Sequence, residues 1–151
     1  MAEITESLTV KDCDDYDAAI ALIREYSTIK GAEKCFVSLD KELADLKTYY
    51  EGGALLLGYE ADKPIATIAL KKTDDNTVEA KRLYIKPEYR GKGYARDMMN
   101  AMLAKAKELG FSEVNFTTMP AVMEIGYGLY KRMGFEETDN DGNTAYMRMK
   151  L

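Results

Sequence analysis

Between residues 52 and 85 three apolar or β-branched runs follow one another, "GGALLLGYEADKPIATIALKKTDDNTVEAKRLYI". The clusters "ADK" and "TDDN" between them are short turn sequences, so successive runs must fold back on each other as an antiparallel meander. The pattern then changes period. From Tyr94 to Leu109 apolar residues fall at Ala95, Met98, Met99, Met102, Ala106 and Leu109, which is one face of a helix closed by Gly110 as a left-handed cap. A meander that runs through a glycine-containing loop into an amphipathic helix limits the chain to an α+β architecture with a mixed sheet.

The flanking segments fit that class. A short first strand is expected near Ile4 to Val10, and Asp14 or Asp15 can cap a helix with Ile20, Ile23 and Tyr26 on one face. Ser38 can cap a second helix that carries Leu39, Leu43, Leu46 and Tyr50 at helical spacing. Downstream, "FSEVNFTT" reads as a fifth strand, "PAVMEIGYGLYKRM" as a helix with Pro120 in its first turn, and "TAYMRMKL" as a final strand alternating Ala145, Met147, Met149 and Leu151. At 151 residues, with no repeat and no low-complexity linker, one domain spanning residues 1–151 is expected.

Composition removes several chemistries. The chain has no histidine and only two cysteines, Cys13 and Cys35, so neither a Cys/His zinc site nor a Ser/His/Asp triad can be assembled, and no metal is expected. With 26 acidic against 21 basic residues the net charge is -5, which argues against a nucleic-acid partner. The acidic start "MAEITESL" lacks an apolar core, and no window approaches a membrane span, so a cytoplasmic protein with no membrane partner is expected. "ETDNDG" resembles the start of a calcium loop, but Arg148 stands where the closing glutamate belongs, and a hairpin turn is the simpler reading. The nine methionines fall mostly at core positions, where they fill gaps.

The loop itself, "YRGKGYAR", carries the chemistry. The first N–H groups of a helix lack intrahelical partners and lie at the positive end of its dipole, so they can hold an anion if no side chain crowds them. Gly91 and Gly93 remove the crowding, while Arg90, Lys92 and Arg96 add charge. A phosphate site and a solvated basic turn both fit this composition. A Walker loop requires Lys and Ser or Thr after its last glycine, but Tyr94 follows Gly93; "GKGYAR" also lacks the third glycine of a dinucleotide fingerprint.

What the segment does match is R-x-x-G-x-[GA], met by Arg90, Gly93 and Ala95. In "KRLYIKPEYRGKGYA" it resembles the acetyl-CoA motif of the GCN5-related N-acetyltransferase (GNAT) superfamily. "GLYKRMGF", one strand later, resembles the L-Y-x-x-x-G-F signature of the same superfamily. The resemblance implies a mixed, mostly antiparallel central sheet of about six or seven strands flanked by about four helices. It also implies two middle strands that splay at a bulge. Leu83, Tyr84 and Ile85 would then line the pantetheine arm of acetyl-CoA, and Arg90, Gly91, Lys92, Gly93, Tyr94, Ala95 and Arg96 would hold its pyrophosphate. Met123 and Gly126 stand where many relatives carry Asn and Ala, and the missing Asn departs from the family's pattern of cofactor contacts.

The implied reaction is transfer of an acetyl group to a primary amine of a small molecule, amino acid or peptide by direct attack on the thioester, which needs a base and an acid. Glu79, six residues before Ile85, matches the base of the histone-acetylating members, and Tyr130 matches the tyrosine that points its phenol at the thioester sulfur. Each also has a plain structural reading, Glu79 as an exposed carboxylate paired with Lys81 or Lys72 and Tyr130 as a core aromatic. Phe36 and Asp40 lie in the region that borders the acceptor in this fold, and the acidic chain with Glu79 at its centre favours a cationic amine. A catalytically silent acyl-CoA-binding module is the alternative, and a homodimer is the default expectation for assembly.

Overall fold

The computed structural model describes residues 7–29, 36–119 and 124–151. The sheet has seven strands in the order β1-β2-β3-β4-β5-β7-β6. These are β1 (Leu8–Asp12), β2 (Ala54–Glu60), β3 (Lys63–Lys72), β4 (Thr77–Ile85), β5 (Glu113–Thr118), β6 (Glu136–Asn140) and β7 (Ala145–Lys150). Every neighbouring pair is antiparallel except β4 and β5, which run parallel because α4 (Tyr94–Glu108) carries the chain back between them. The remaining helices are α1 (Tyr16–Ser27), α2 (Leu39–Ala44), α3 (Leu46–Tyr49) and α5 (Glu124–Arg132). No helix among the described residues is long and apolar enough to cross a membrane.

Two apolar clusters cover the two sides of the sheet. One is built on α4, where Met98, Met99, Met102 and Ala106 pack against Ile65, Ile68, Leu70 and Val78. The other joins α1, α2 and α3 to the opposite side, with Leu22, Ile23, Leu43 and Leu46 against Leu55, Leu57 and Ala69. Gly58 lets α4 sit this close, since a Cβ there would lie 2.8 Å from the Met98 sulfur and 3.1 Å from Ala66 Cβ.

The meander, α4 and its Gly110 terminator at φ 91° stand as the sequence implies. Asp15 is the cap of α1, its carboxylate accepting from the Ala18 N–H at 3.0 Å. The single helix expected after Ser38 is instead two, because the Asp45 carboxylate accepts from the Thr48 N–H at 3.2 Å and the Thr48 hydroxyl at 2.8 Å and starts α3 anew. The strand β6 was not expected: its sequence EETDN is polar throughout and it lies at the sheet edge. Ile4, Cys35, Pro120 and Met123 lie outside the described residues.

Candidate active site

Strands β4 and β5 are hydrogen-bonded only at their beginnings, Thr77 to Glu79 against Glu113 to Asn115. Beyond that point they part, and the edge of β4 that would face β5 meets no strand. A row of main-chain N–H and C=O groups left open in this way is a template for an extended ligand. The cleft between the strands, about 60 Å³, is lined by Arg82 and Leu83 from β4, Phe116, Thr117 and Thr118 from β5, and Tyr130 from α5.

The divergence coincides with a bulge. The register between β3 and β4 shifts between Thr67/Tyr84 and Ala69/Lys81, and Arg82 takes φ 62°, a left-handed conformation that a non-glycine residue adopts at a cost of about 1 to 3 kcal/mol. Two bonds hold it there. The buried Thr67 hydroxyl donates to the Arg82 carbonyl at 2.7 Å, and the Arg82 guanidinium reaches across to Glu42 on α2. That pair is two-pronged, with Nη2 to Oε1 at 2.6 Å and Nε to Oε2 at 3.0 Å, and the Tyr50 hydroxyl donates to the same carboxylate at 2.7 Å. Glu42 is fully buried. Burial alone would raise its carboxyl pKa, but the hydrogen bonds from Arg82 and Tyr50 outweigh burial and hold it below the ordinary carboxylate range. The guanidinium also lies over the Phe36 ring at 4.3 Å, so Phe36 does border the bulge, while Asp40 is exposed.

Tyr130 is buried, with its ring 4.6 Å from that of Phe116 in an edge-on contact and Phe135 beyond. Its position along the cleft follows from the α5 to β6 turn, where the Phe135 N–H donates back to the Tyr130 carbonyl at 3.1 Å. The phenol makes no hydrogen bond among the described residues; burial raises its pKa, with the nearby Tyr26 adding to the effect. Next to it Thr118, in the same register of β5 as Phe116, has a buried hydroxyl without a hydrogen-bond partner among the described residues. An orphaned hydroxyl of this kind costs about 1 to 3 kcal/mol unless a ligand satisfies it.

Glu79 stands where the two strands separate, opposite Asn115 on β5 and Lys71 on β3, and is half-buried. The ion pair with Lys72 or Lys81 that the sequence allows is not formed. Lys72 pairs with Asp75 at 3.5 Å, and the Lys71 ammonium donates to the Tyr49 carbonyl at 3.1 Å.

Leu83 lines the cleft, but the side chains of its two successors do not serve as its wall. Tyr84 stacks on Tyr26 at 5.3 Å and donates to Glu25, which also accepts from Lys86 at 2.9 Å; Ile85 packs in the α4 cluster. What both residues offer the slot is main chain, and the Ile85 carbonyl already accepts from Arg90 Nε at 2.9 Å.

The slot leads to the loop. Gly91 and Gly93 both have φ 83°, and a Cβ built at either would meet nothing within 4 Å, so the glycines serve backbone conformation and leave open space. Gly93 caps α4 without any side-chain hydrogen bond, and the first main-chain bond into the helix is Asp97 N–H to the Gly93 carbonyl at 3.2 Å. The N–H groups of the first turn, Tyr94, Ala95 and Arg96, therefore face the loop. The Tyr94 ring itself is buried and its hydroxyl donates to Glu60, which also pairs with Lys92 at 3.0 Å. Arg90 and Arg96 are exposed beside the open space. Uncapped amides, flanking arginines, an open strand edge and an orphaned hydroxyl fit a long ligand with an anionic end.

A parallel pair that splays beside a bulge and leads to a bare helix start is the arrangement that the GNAT resemblance implies. The family model of the acetyltransferase (GNAT) family matches residues 18–135, and the chain belongs to that family and is an acetyltransferase. It is 27% identical over 150 residues to an uncharacterised N-acetyltransferase of Schizosaccharomyces pombe, covering 93% of this chain and 90% of that protein. Among solved structures, the PaiA N-acetyltransferase of Thermoplasma acidophilum in complex with coenzyme A shares the fold with a TM-score of 0.77 at 22% identity, over 96% of this chain and 99% of the other. A GNAT family acetyltransferase of Elizabethkingia anophelis with acetyl-CoA bound gives 0.68 at 18% identity, over 95% and 98%.

Glu42, Arg82 and Thr118 belong to no linear motif of the chain. Glu42 interrupts the apolar face of its helix, and Thr118 follows Val114 and Phe116 in a buried register, so both carried a signal. Arg82 carried none, since only the bulge decides which side of the sheet it faces.

Proposed function

We propose that the protein transfers the acetyl group of acetyl-CoA to a primary amine that attacks the thioester directly. The observation that carries this reading is the open edge of β4, which runs from the parting of the strands at Glu79 to the uncapped start of α4. The relatives named as N-acetyltransferases and the neighbours holding coenzyme A or acetyl-CoA support it.

In this reading the first-turn amides of α4, with Arg90 and Arg96, bind the pyrophosphate, and the open main chain from Leu83 to Ile85 binds the pantetheine amides. Acetyl-CoA supplies the activated acyl group. The acceptor ammonium first gives one proton to Glu79, which passes it to solvent, and the neutral amine gives Glu79 a second as its nitrogen bonds to the acyl carbon. As the carbon–sulfur bond breaks, the Tyr130 phenol gives a proton to the sulfur and regains one from solvent. A phenol whose pKa is raised by burial stays protonated across the physiological range and so remains a donor.

Two measurements test the proposal. Acetyl-CoA should raise the melting temperature with its concentration, and a panel of amines should release free thiol. Tyr130→Phe should then keep acetyl-CoA affinity and melting temperature while transfer slows by about 10² to 10⁴. Stabilisation by acetyl-CoA without thiol release from any amine would make the chain a binding module instead.

A further inference from the structure

The acceptor side of the cleft carries a cation that forms no ion pair among the described residues. In a regular strand Lys81 and Arg82 would point to opposite sides of the sheet. The bulge puts both on the side covered by α1, α2 and α3: Arg82 reaches Glu42 on α2, and the Lys81 ammonium lies 5.8 Å from the Tyr49 ring on α3. Both line the cleft, and no carboxylate does among its described lining residues.

The two cations are not equivalent. Arg82 is answered by Glu42, whose two oxygens are taken up by that guanidinium and by Tyr50. Lys81 has no carboxylate within ion-pair distance among the described residues, in a chain whose net charge is -5. Lys81 acts on Glu42 only from beyond ion-pair distance, and that carboxylate is already bonded to Arg82 and Tyr50, so the half-buried ammonium keeps room for an anion of its own.

Two residues back on the same side of β4 is Glu79, roughly 7 Å away along the strand. The carboxylate and the ammonium do not pair with each other. A small zwitterion laid along this stretch would place its ammonium at Glu79 and its carboxylate at Lys81, with the exposed Thr117 hydroxyl on the facing wall.

From this we infer that the acceptor is an α-amino acid, its carboxylate held by Lys81 and its amine presented to Glu79. The inference rests on the transfer reading above and names the substrate class of that same site. It narrows the expectation of a cationic amine to one that also carries a carboxylate.

The experiment compares acceptors that differ only in that group, phenylalanine with phenethylamine and leucine with isoamylamine, in thiol release from acetyl-CoA. The parent should prefer the amino acid of each pair. Lys81→Met should raise KM for the amino acid by about 10- to 100-fold with kcat little changed, leave the amine as it was, and keep the melting temperature; Lys81→Arg should retain most of the preference. Equal use of acid and amine by the parent, or an equal loss for both in Lys81→Met, would overturn the inference while leaving transfer intact. Failure of the transfer reading looks different: neither member of any pair would release thiol although acetyl-CoA stabilises the protein.

Discussion

A single oxygen at Thr118 has opposite effects on the free and the liganded protein. Its hydroxyl is buried and without a partner among the described residues, so Thr118→Val removes an unsatisfied group while keeping the shape. We expect the free protein to be as stable or more stable, by up to about 2 kcal/mol in urea unfolding, and acetyl-CoA affinity to fall by about 10-fold. A loss of stability together with unchanged affinity would show that the hydroxyl is bonded within the fold. Such residues differ in how they could be read. Tyr130 was legible because it sits in a linear signature, and Thr118 was open to inspection as a polar residue in a buried register. Arg82 was not, because strand alternation assigns it to the side away from Lys81 and the bulge that overrides it leaves no mark in "EAKRLYI".

At the scale of elements, α2 is tied to the bulge by a buried ion pair, and such pairs fix geometry more than they stabilise. Glu42→Ala should leave the Arg82 charge unanswered and destabilise the protein by about 3 to 5 kcal/mol, whereas Glu42→Leu with Arg82→Met should recover most of that loss. Transfer should stay impaired in the double variant, since only the Thr67 hydroxyl then holds residue 82 in its left-handed conformation. The pH dependence has a definite sign. The Glu42 pKa is lowered in the folded state from the ordinary 4.5, so its contribution is complete above that value and is lost as pH falls through the folded pKa. The stability gap between parent and Glu42→Gln should accordingly narrow in acid.

The start of α4 permits a similar separation of causes. Asn and Asp tolerate positive φ almost equally, so Gly93→Asn and Gly93→Asp impose similar strain at φ 83°, but only Asp brings a negative charge to the open space. Acetyl-CoA affinity should fall at least about 10-fold further in the Asp variant, an excess that shrinks in high salt. The sequence displayed this element fully, because a glycine loop ahead of a long apolar stripe has few other readings. It concealed the break at Asp45 and the strand β6, where a side-chain cap and a sheet edge overrode periodicity and strand propensity.

Across the whole molecule, the sheet is two sheets joined at one corner. β1 to β4 form one hydrogen-bonded unit and β5, β7 and β6 another, and the ladder between them is confined to the three parallel residue pairs from Thr77 to Glu79 and the bonds from Ser112 and Glu113 to the Asn76 carbonyl just before them. The apolar cluster under α4 spans the join, with Val114, Phe116 and Met147 from one unit packed among Val78, Met98 and Met102 from the other. Side-chain packing therefore couples the units more than the backbone does, and packing yields to brief separations that leave each ladder intact. In hydrogen exchange, amides of β5 and β7 should exchange together through a sub-global opening that leaves β2 and β3 protected. A ligand bonded to the edge of β4 and resting on Thr118 and Tyr130 would act as a missing rung. Acetyl-CoA should then slow exchange in β5 and β7 by more than direct contact can account for, making the cosubstrate the element that turns two cooperative folding units into one.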